Sequence, residues 1–323
     1  MASGSAITIT GGTNMTQVVA GTDTVAAVDF NNARTNVNTL LSGAADVTLG
    51  TFTTASTYGW NQGGAGVSAA SAGSTVQDTG AGGFKDLQDD VQAMCAFLGQ
   101  SVRTGVGSDV TTGTSMVAAT WNNTMLNVKD CWDNRFVPAS RTAATDASVT
   151  RTASWTNTLT QETTWTFASE GALRAYFNGG GAVGMSASRS GGTSNSQNTQ
   201  WTNKLSGISD VWLYHDTTSA SAGTSAGLGL YELTTAFQQV IIFYGGTSPY
   251  TSDYIQVNAK VNSTTNPTVI TIQTKLRDEG DNVLDEAVNG TLTINARRLQ
   301  PNANGSGFSF ATPTDGTGAI SGS

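Results

Sequence analysis

The chain has 323 residues, a net charge of −8 and a sequence pI near 4.5, and only 12% of its residues are charged. Such an acidic chain is not expected to bind nucleic acid as its main role, and its longest apolar run, residues 240–244, is far shorter than the ~20 residues that cross a membrane. The N-terminus lacks the basic region and apolar core of a secretory signal, so we expect folding in a cytoplasm.

The low charge leaves Thr, Ser, Asn, Gln and Gly to cover the surface. This composition is typical of proteins that pack against copies of themselves or stand exposed as fibres and adhesins. An ordinary β-rich protein with a neutral polar surface is the alternative. The length fits one large or two moderate domains.

Residues 1–23 are rich in Thr and Gly and contain one β-like run, residues 6–10, which predicts an arm or edge strand. An internal repeat follows in residues 24–136. Aromatic residues begin each unit, and apolar residues recur seven, ten and eleven positions later, which places them on one face of a helix. The aligned residues are Phe30, Phe84 and Trp121, then Val37, Val91 and Val128, then Leu40, Met94 and Cys131, and then Leu41, Cys95 and Trp132.

This repeat predicts three amphipathic helices near residues 25–42, 83–101 and 117–135. Helices of this length are not stable in isolation, so they must pack against each other or against a neighbouring subunit. We interpret residues 1–138 as a helical docking or oligomerisation domain. Its core residues are Phe30, Val37, Leu40, Leu41, Phe84, Val91, Met94, Trp121, Val128 and Trp132.

The two cysteines, Cys95 and Cys131, fall on equivalent helix faces and are interpreted as small core residues. A disulfide between them is geometrically possible if the helices pack, but a reducing compartment disfavours it. In the Gly/Ser-rich connector at 51–83, Tyr58 and Trp60 form an aromatic island that is expected to anchor the loop.

Residues 169–176 predict a short helix that ends at Asn178 and three glycines, and a strand follows at 183–187. From about residue 139 the apolar period is two, with further strands at 163–167, 208–214, 240–244, 254–261, 269–276 and 291–297. A short helix is expected at 200–205. The fold class is therefore α+β, with N-terminal helices followed by an antiparallel β-sandwich or jelly-roll domain at 139–300 and a flexible or partner-bound tail at 301–323.

Sites for chemistry are weakly indicated. His215 lies beside Asp216, but no nucleophile elbow accompanies this pair, and neighbours on a strand point to opposite faces. Glu162 and Glu170 could form a glycosidase pair, although nothing places them across a cleft. The carboxylates at 278–286 could hold Ca²⁺ but do not have EF-hand spacing, and an acidic hairpin turn is the simpler interpretation. We predict no catalytic residue, no metal site and no cofactor.

The aromatic residues of the β-domain are mostly expected in its core. Tyr250 and Tyr254, in the loop at 245–254, are the best candidates for an exposed ligand-binding loop, with a host surface glycan as the ligand.

Several short motifs occur in a recognisable order: Asp29-Phe30-Asn31, Tyr58-Gly59-Trp60-Asn61-Gln62, Phe84-Lys85-Asp86-Leu87, Ser154-Trp155-Thr156, Phe177-Asn178-Gly179-Gly180 and Ser190-Gly191-Gly192. Gln200-Trp201-Thr202 and the stretch at 244–254 complete the set. In this order they resemble virion structural proteins of tailed phages, especially marine and cyanobacterial ones. The resemblance spans roughly residues 24–298, although the third helix entry at Trp121 is not part of the pattern.

The resemblance implies a non-enzymatic structural protein, assembled in the host cytoplasm and located on the virion. We expect a tail, neck or fibre-associated appendage, with a capsid or tail decoration protein as the alternative. The expected partners are copies of the chain, in a homo-oligomer such as a trimer, and other virion proteins, but neither nucleic acid nor a membrane. A glycan-binding adhesin and a depolymerase are the competing classes.

Overall fold

The computed structural model describes residues 4–21, 25–42, 59–63, 69–71, 83–108, 116–279 and 287–322. This part of the chain contains both helices and antiparallel sheets, which confirms the α+β class. The helices are α1 Ala27–Ser42, α2 Phe84–Leu98, α3 Ala118–Asp133, α4 Glu170–Asn178 and α5 Ser196–Ile208. The strands are β1 Ala6–Ile7, β2 Met15–Thr16, β3 Arg141–Arg151, β4 Thr158–Thr166, β5 Ala182–Ser190, β6 Val211–Leu213, β7 Thr218–Ser219, β8 Thr224–Ser225, β9 Gln238–Phe243, β10 Tyr254–Val261, β11 Val269–Arg277, β12 Thr291–Pro301, β13 Thr314–Thr317 and β14 Ser321–Gly322.

Helices α1, α2 and α3 run in the same direction, because their C-terminal ends meet around one side chain. The backbone N–H of Trp60 donates to the Leu40 carbonyl oxygen at 2.8 Å, and its indole Nε1 donates to the Arg135 carbonyl oxygen at 3.1 Å. The Trp60 and Phe97 rings lie 5.0 Å apart. The repeat of the sequence is therefore a parallel three-helix arrangement within one chain.

Equivalent positions of the repeat lie at the same level of this arrangement. Phe84 and Trp121, which are equivalent in the repeat, stack with ring centroids 5.8 Å apart. Nearer the C-terminal ends, the Sγ atoms of Cys95 and Cys131, which are one position apart in the repeat, are separated by 3.5 Å. Both cysteines are free and buried, as expected of core residues. At the end of α2, Gly99 has φ of 66° and closes the helix with a hydrogen bond from its N–H to the Ala96 carbonyl oxygen.

The ten residues predicted to form the helix core are buried within the single chain, and the oligomerisation role expected of the helical region stays a prediction. All ten are at most 3% exposed within the single chain: Phe30, Val37, Leu40, Leu41, Phe84, Val91, Met94, Trp121, Val128 and Trp132. Side chains buried in this way stabilise the chain's own fold and are not available to a second subunit. Any contact between copies must use other residues.

The N-terminal arm lies along α1 and α3. β1 and β2 pair with each other, and Ile7, Ile9 and Met15 are buried. The indole groups of Trp132 and Trp121 donate to the carbonyl oxygens of Thr10 at 2.9 Å and Thr16 at 3.3 Å. The arm thereby satisfies the polar atoms of two otherwise buried tryptophans.

The described strands of the C-terminal part form two antiparallel sheets in a sandwich-like arrangement. One has the order β3-β12-β5-β6-β7, and the other has the order β13-β4-β11-β10-β9-β8, with β14 also paired to β4. The register between β3 and β12 shifts at Ala296 and Arg297, which leaves Asp146 as the extra residue of a bulge. The Asp146 carboxylate accepts from Arg298 Nε at 3.0 Å and from Trp165 Nε1 of the facing sheet at 3.3 Å.

Most predicted strands and short helices are present, and one boundary is wrong. Ile208 was expected in a strand at 208–214, but it is the last residue of α5, and β6 covers only Val211–Leu213. Strand β3 was not recognised, because Thr, Ala and Ser occupy both of its faces and give no apolar alternation.

The expectation of a flexible tail at 301–323 is also corrected. β13 and β14 pair with β4 in the registers Asp315↔Trp165 and Gly322↔Leu159. Phe310 and Ile320 are each only 9% exposed. Backbone pairing along the edge of β4 orders this segment in spite of its Gly/Ser/Thr composition. The division into domains at residues 138 and 300 stays a prediction.

Candidate functional site

Of the two tyrosines predicted to bind a ligand in the loop at 245–254, only Tyr254 has an accessible side chain. Tyr250 is 8% exposed and lies in a short helical turn at 250–252, so the expectation that its ring is free for a ligand is wrong. Tyr254 is half-buried, and its ring lies 5.4 Å from that of Tyr244, which is 58% exposed. The accessible aromatic pair of this region is therefore the exposed Tyr244 with the half-buried Tyr254.

His215 is held in a structural contact. Its ring stacks on Phe136 with centroids 3.8 Å apart, and its Nδ1 lies 3.5 Å from a carboxylate oxygen of Asp216. Burial lowers the pKa of His215 from its ordinary value of 6.5 to about 4, against the opposing effect of Asp216. A neutral, stacked imidazole of this kind ties the end of the helical region to the turn after β6.

The two glutamates considered for glycoside chemistry are engaged separately. Glu162 lies exposed on β4 and accepts from Gln273 Nε2 at 2.7 Å. Glu170 opens α4 and accepts from Arg174 Nε at 2.6 Å. Of the acidic turn, residues 280–286 lie outside the described residues. Within the described ranges, no group of histidine, cysteine and carboxylate side chains is arranged to hold a metal ion.

A polar cavity of about 280 Å³ lies between the end of β5 and α5. Arg189 is fixed at its wall by hydrogen bonds from Nη1 to the Asn198 carbonyl oxygen at 3.2 Å and to Thr202 Oγ1 at 3.0 Å. Its Nη2 donates to the Asn289 carbonyl oxygen. The guanidinium therefore connects β5, α5 and the entry to β12.

The densest group of buried ionisable side chains lies beneath α5. Gln197, Trp201 and Lys204 share one face of this helix, four and three residues apart, and all three are buried. They face Asp253 and Asp278, which are 1% and 2% exposed. Burial of charges costs free energy unless partners compensate, so each charged group of this cluster needs partners within it.

The contacts within this group are specific. Lys204 Nζ donates to the Asp253 carbonyl oxygen at 2.8 Å and lies 3.7 Å from Asp253 Oδ2. Asp278 accepts from Gln197 Nε2 at 2.9 and 2.8 Å and from Trp201 Nε1 at 3.1 Å. Burial lowers the pKa of Lys204 to about 8, and burial also raises the pKa of Asp253.

The sequence carries one signal for this group. A lysine on the apolar face of a predicted helix, three residues after a tryptophan, indicates a buried cation that must find a carboxylate. The two aspartates could not be assigned to it, because they come from turns whose position depends on the strand register.

None of the helices in the described ranges combines the length and apolar character that crossing a bilayer requires. No family model matches the chain, and comparisons with curated proteins and with solved structures give no match.

Proposed function

We propose that this chain is a non-enzymatic structural protein of a tailed-phage virion. A tail, neck or fibre-associated appendage is the first choice, and a capsid or tail decoration protein is the second. Its partners would be copies of itself and other virion proteins. The proposal is supported by the order of the sequence motifs, by the low surface charge and by the edge of one sheet.

The observation that carries the proposal is strand β3. It spans Arg141–Arg151 at the edge of its sheet, and β12 is its only partner among the described strands. Exposed positions such as Ala143, Ser148 and Thr150 carry small neutral side chains. A long edge with such side chains offers backbone N–H and C=O groups to a strand of another chain.

The two arginines of β3 do not protect this edge. Arg141 Nη2 donates to the Phe136 carbonyl oxygen at 3.2 Å, and Arg151 Nε donates to that of Ala153 at 3.2 Å. Asp146 is turned towards Arg298. Lysines and prolines, which commonly block association along such a strand, are absent from β3. The bulge at Asp146 also discourages edge pairing, so the regular stretch from Ala147 to Arg151 is the part of the edge that is available. We therefore infer that β3 is a contact between neighbouring copies.

Light scattering of the purified full-length chain over a range of concentrations tests this proposal. We expect a defined oligomer, and we expect Ala143→Lys together with Thr150→Lys to reduce its mass without changing the circular dichroism spectrum. Thr235→Lys, in an exposed loop, is the matched control and should leave the oligomer intact. A chain that stays monomeric at every concentration would contradict the proposal.

Glycan binding is the second candidate function, and the pair Tyr244 and Tyr254 is the observation that favours it. Their rings lie 5.4 Å apart, and Tyr244 is the most exposed large aromatic side chain of the described residues. Exposed tyrosines combine an apolar face with a polar tip, which suits contact with a sugar ring. This function is compatible with a virion protein that contacts a host surface.

A further inference from the structure

The group beneath α5 brings an amine and a carboxyl together by strand register. β10 and β11 pair with Tyr254 opposite Arg277, so the next positions outward, Asp253 and Asp278, leave the same end of the ladder. Helix α5 covers this end and places Lys204 on its inner face. The side chains of Lys204 and Asp253 are 0% and 1% exposed.

The Asp253 carboxyl is held at one oxygen and not at the other. Oδ1 accepts from the Glu279 backbone N–H at 2.9 Å. Oδ2 accepts no hydrogen bond from the described residues, although it is completely buried and the Lys204 nitrogen lies 3.7 Å away. A simple structural ion pair would be expected to use this oxygen fully, because an unsatisfied buried carboxylate oxygen is costly.

We propose that Lys204 and Asp253 form an intramolecular isopeptide bond between Nζ and Cγ, and that Asp278 relays the proton. The unprotonated amine attacks Cγ of the protonated carboxyl. The Asp278 carboxylate accepts a proton from the attacking nitrogen and returns it to the departing hydroxyl group. An N–C bond forms, a C–O bond breaks, and one water molecule leaves, so the step needs no oxidant, reductant or other reactant.

The surroundings favour the two forms that this step requires. Burial lowers the pKa of Lys204 to about 8, so a fraction of the amine is neutral near pH 7. Burial raises the pKa of Asp253, which increases its protonated fraction. The neutral amine and the neutral acid are also the forms that a desolvated site prefers.

Amide formation from an acid and an amine is normally opposed by water. Here the two groups are held in contact, and well-oriented intramolecular groups reach effective molarities of roughly 10⁵–10⁸ M. The aromatic wall helps to exclude water, because Trp201 lies 4.8 Å from Lys204 Nζ and packs against Trp155 at 4.6 Å. The product would fasten α5 to the start of β10 and resist pulling or unfolding of this part of the chain.

Intact-mass spectrometry of the folded full-length chain, denatured just before measurement, tests the proposal. We expect a mass lower than that of the sequence by one water molecule, and a proteolytic fragment in which the peptides containing Lys204 and Asp253 are joined. Lys204→Arg and Asp253→Ala should each have the full mass of their own sequences. A wild-type chain of full mass, or a water loss that persists in both variants, would overturn the proposal.

Asp278→Asn tests the proton-transfer role of Asp278 separately from the formation of the isopeptide bond. This change keeps the size of the side chain and is expected to preserve the fold. Circular dichroism of the same sample checks this. We expect the cross-linked fraction after a fixed time at pH 7 to fall at least tenfold below that of the wild type. Cross-linking at the wild-type rate would overturn the role of Asp278.

Discussion

Trp60 donates a hydrogen bond to Asn178 at the junction of the helices and the β-domain, and Asn178 donates one to the residue before Trp60. The indole Nε1 of Trp60 donates to the Asn178 carbonyl oxygen at 3.2 Å, and Asn178 Nδ2 donates to the Gly59 carbonyl oxygen at 3.2 Å. Asn178 Oδ1 in turn accepts from the hydroxyl of Tyr231 at 2.8 Å. One buried tryptophan thus connects the C-terminal ends of α1, α2, α3 and α4.

Trp60→Ala should therefore destabilise the whole chain. The loss of a buried ring predicts about 3–5 kcal/mol, whereas Trp60→Phe keeps a ring and removes the N–H group that donates to two carbonyl oxygens, which predicts about 1–3 kcal/mol. Denaturant unfolding measures both values. Tyr244→Ala, at an exposed position, is the control and should change stability by about 0.5 kcal/mol or less. Equal effects of the three variants would contradict the role of Trp60.

The C-terminal segment should contribute to stability. Phe310 lies 5.2 Å from the Phe97 ring and is buried, so Phe310→Ala is expected to cost about 3 kcal/mol. The Gly318 N–H, which donates to the Glu162 carbonyl oxygen at 2.8 Å, should be protected in hydrogen exchange. Fast hydrogen exchange at Gly318, together with an unchanged free energy of unfolding in Phe310→Ala, would show that this segment is flexible as first expected.

The pH dependence of stability should include a contribution from His215. Its pKa is lowered in the folded chain from 6.5 to about 4, so protonation occurs first in the unfolded chain. The contribution is fully present above pH 6.5 and is lost as the pH falls towards 4, and it amounts to at most about 3 kcal/mol.

His215→Gln removes this titration while keeping a polar side chain. The difference in unfolding free energy between wild type and variant should narrow as the pH is lowered from 7 to 5. Carboxylates titrate in both chains and cancel in the comparison. A difference that does not change with pH would show that His215 is not held in its neutral form.

The cysteines should be unreactive in the folded chain. The hydrogen bond between the two thiols, followed by burial, raises the pKa of Cys131 well above its ordinary range, and the same hydrogen bond lowers the pKa of Cys95. Both cysteines are 0% exposed, so the lack of access for a reagent decides their reactivity. An aromatic disulfide reagent should modify neither thiol in the native chain and both in denaturant. Rapid modification of either thiol under native conditions would contradict the packing of α2 against α3.

Glycan binding should depend on Tyr244 and Tyr254 and not on Tyr250. On a glycan array, Tyr244→Ala and Tyr254→Ala should each abolish the signals. Tyr250→Ala should instead lower the melting temperature, because this ring is buried. An array without signals, or signals that survive both exposed-site changes, would remove this function.

The sequence predicted those helices and strands in which apolar side chains recur with a regular period. Phe30, Phe84 and Trp121 identified the helices, and Val257 and Ile272 belong to strands with a regular alternation. The parallel direction of the helices could not be predicted, because it depends on where Trp60 meets their ends. Strand β3 and the segment at 314–322 were missed, since backbone pairing and not apolar side chains defines them.

The candidate sites show the same limit. Tyr254 was identified from its loop, but the exposure of Tyr244 and the burial of Tyr250 depend on how β9 and β10 end. Asp253 and Asp278 are far apart in the sequence and meet only through the register of β10 and β11. Their pairing with Lys204 is a property of the tertiary structure.

Quantitative mass spectrometry of phage particles purified from a lysed culture that produces this chain tests the central claim most directly. The account predicts that peptides of this chain are present in many copies per particle and remain associated through density-gradient purification. A chain that is abundant in the infected cell but absent from purified particles would contradict the proposed role as a virion structural protein.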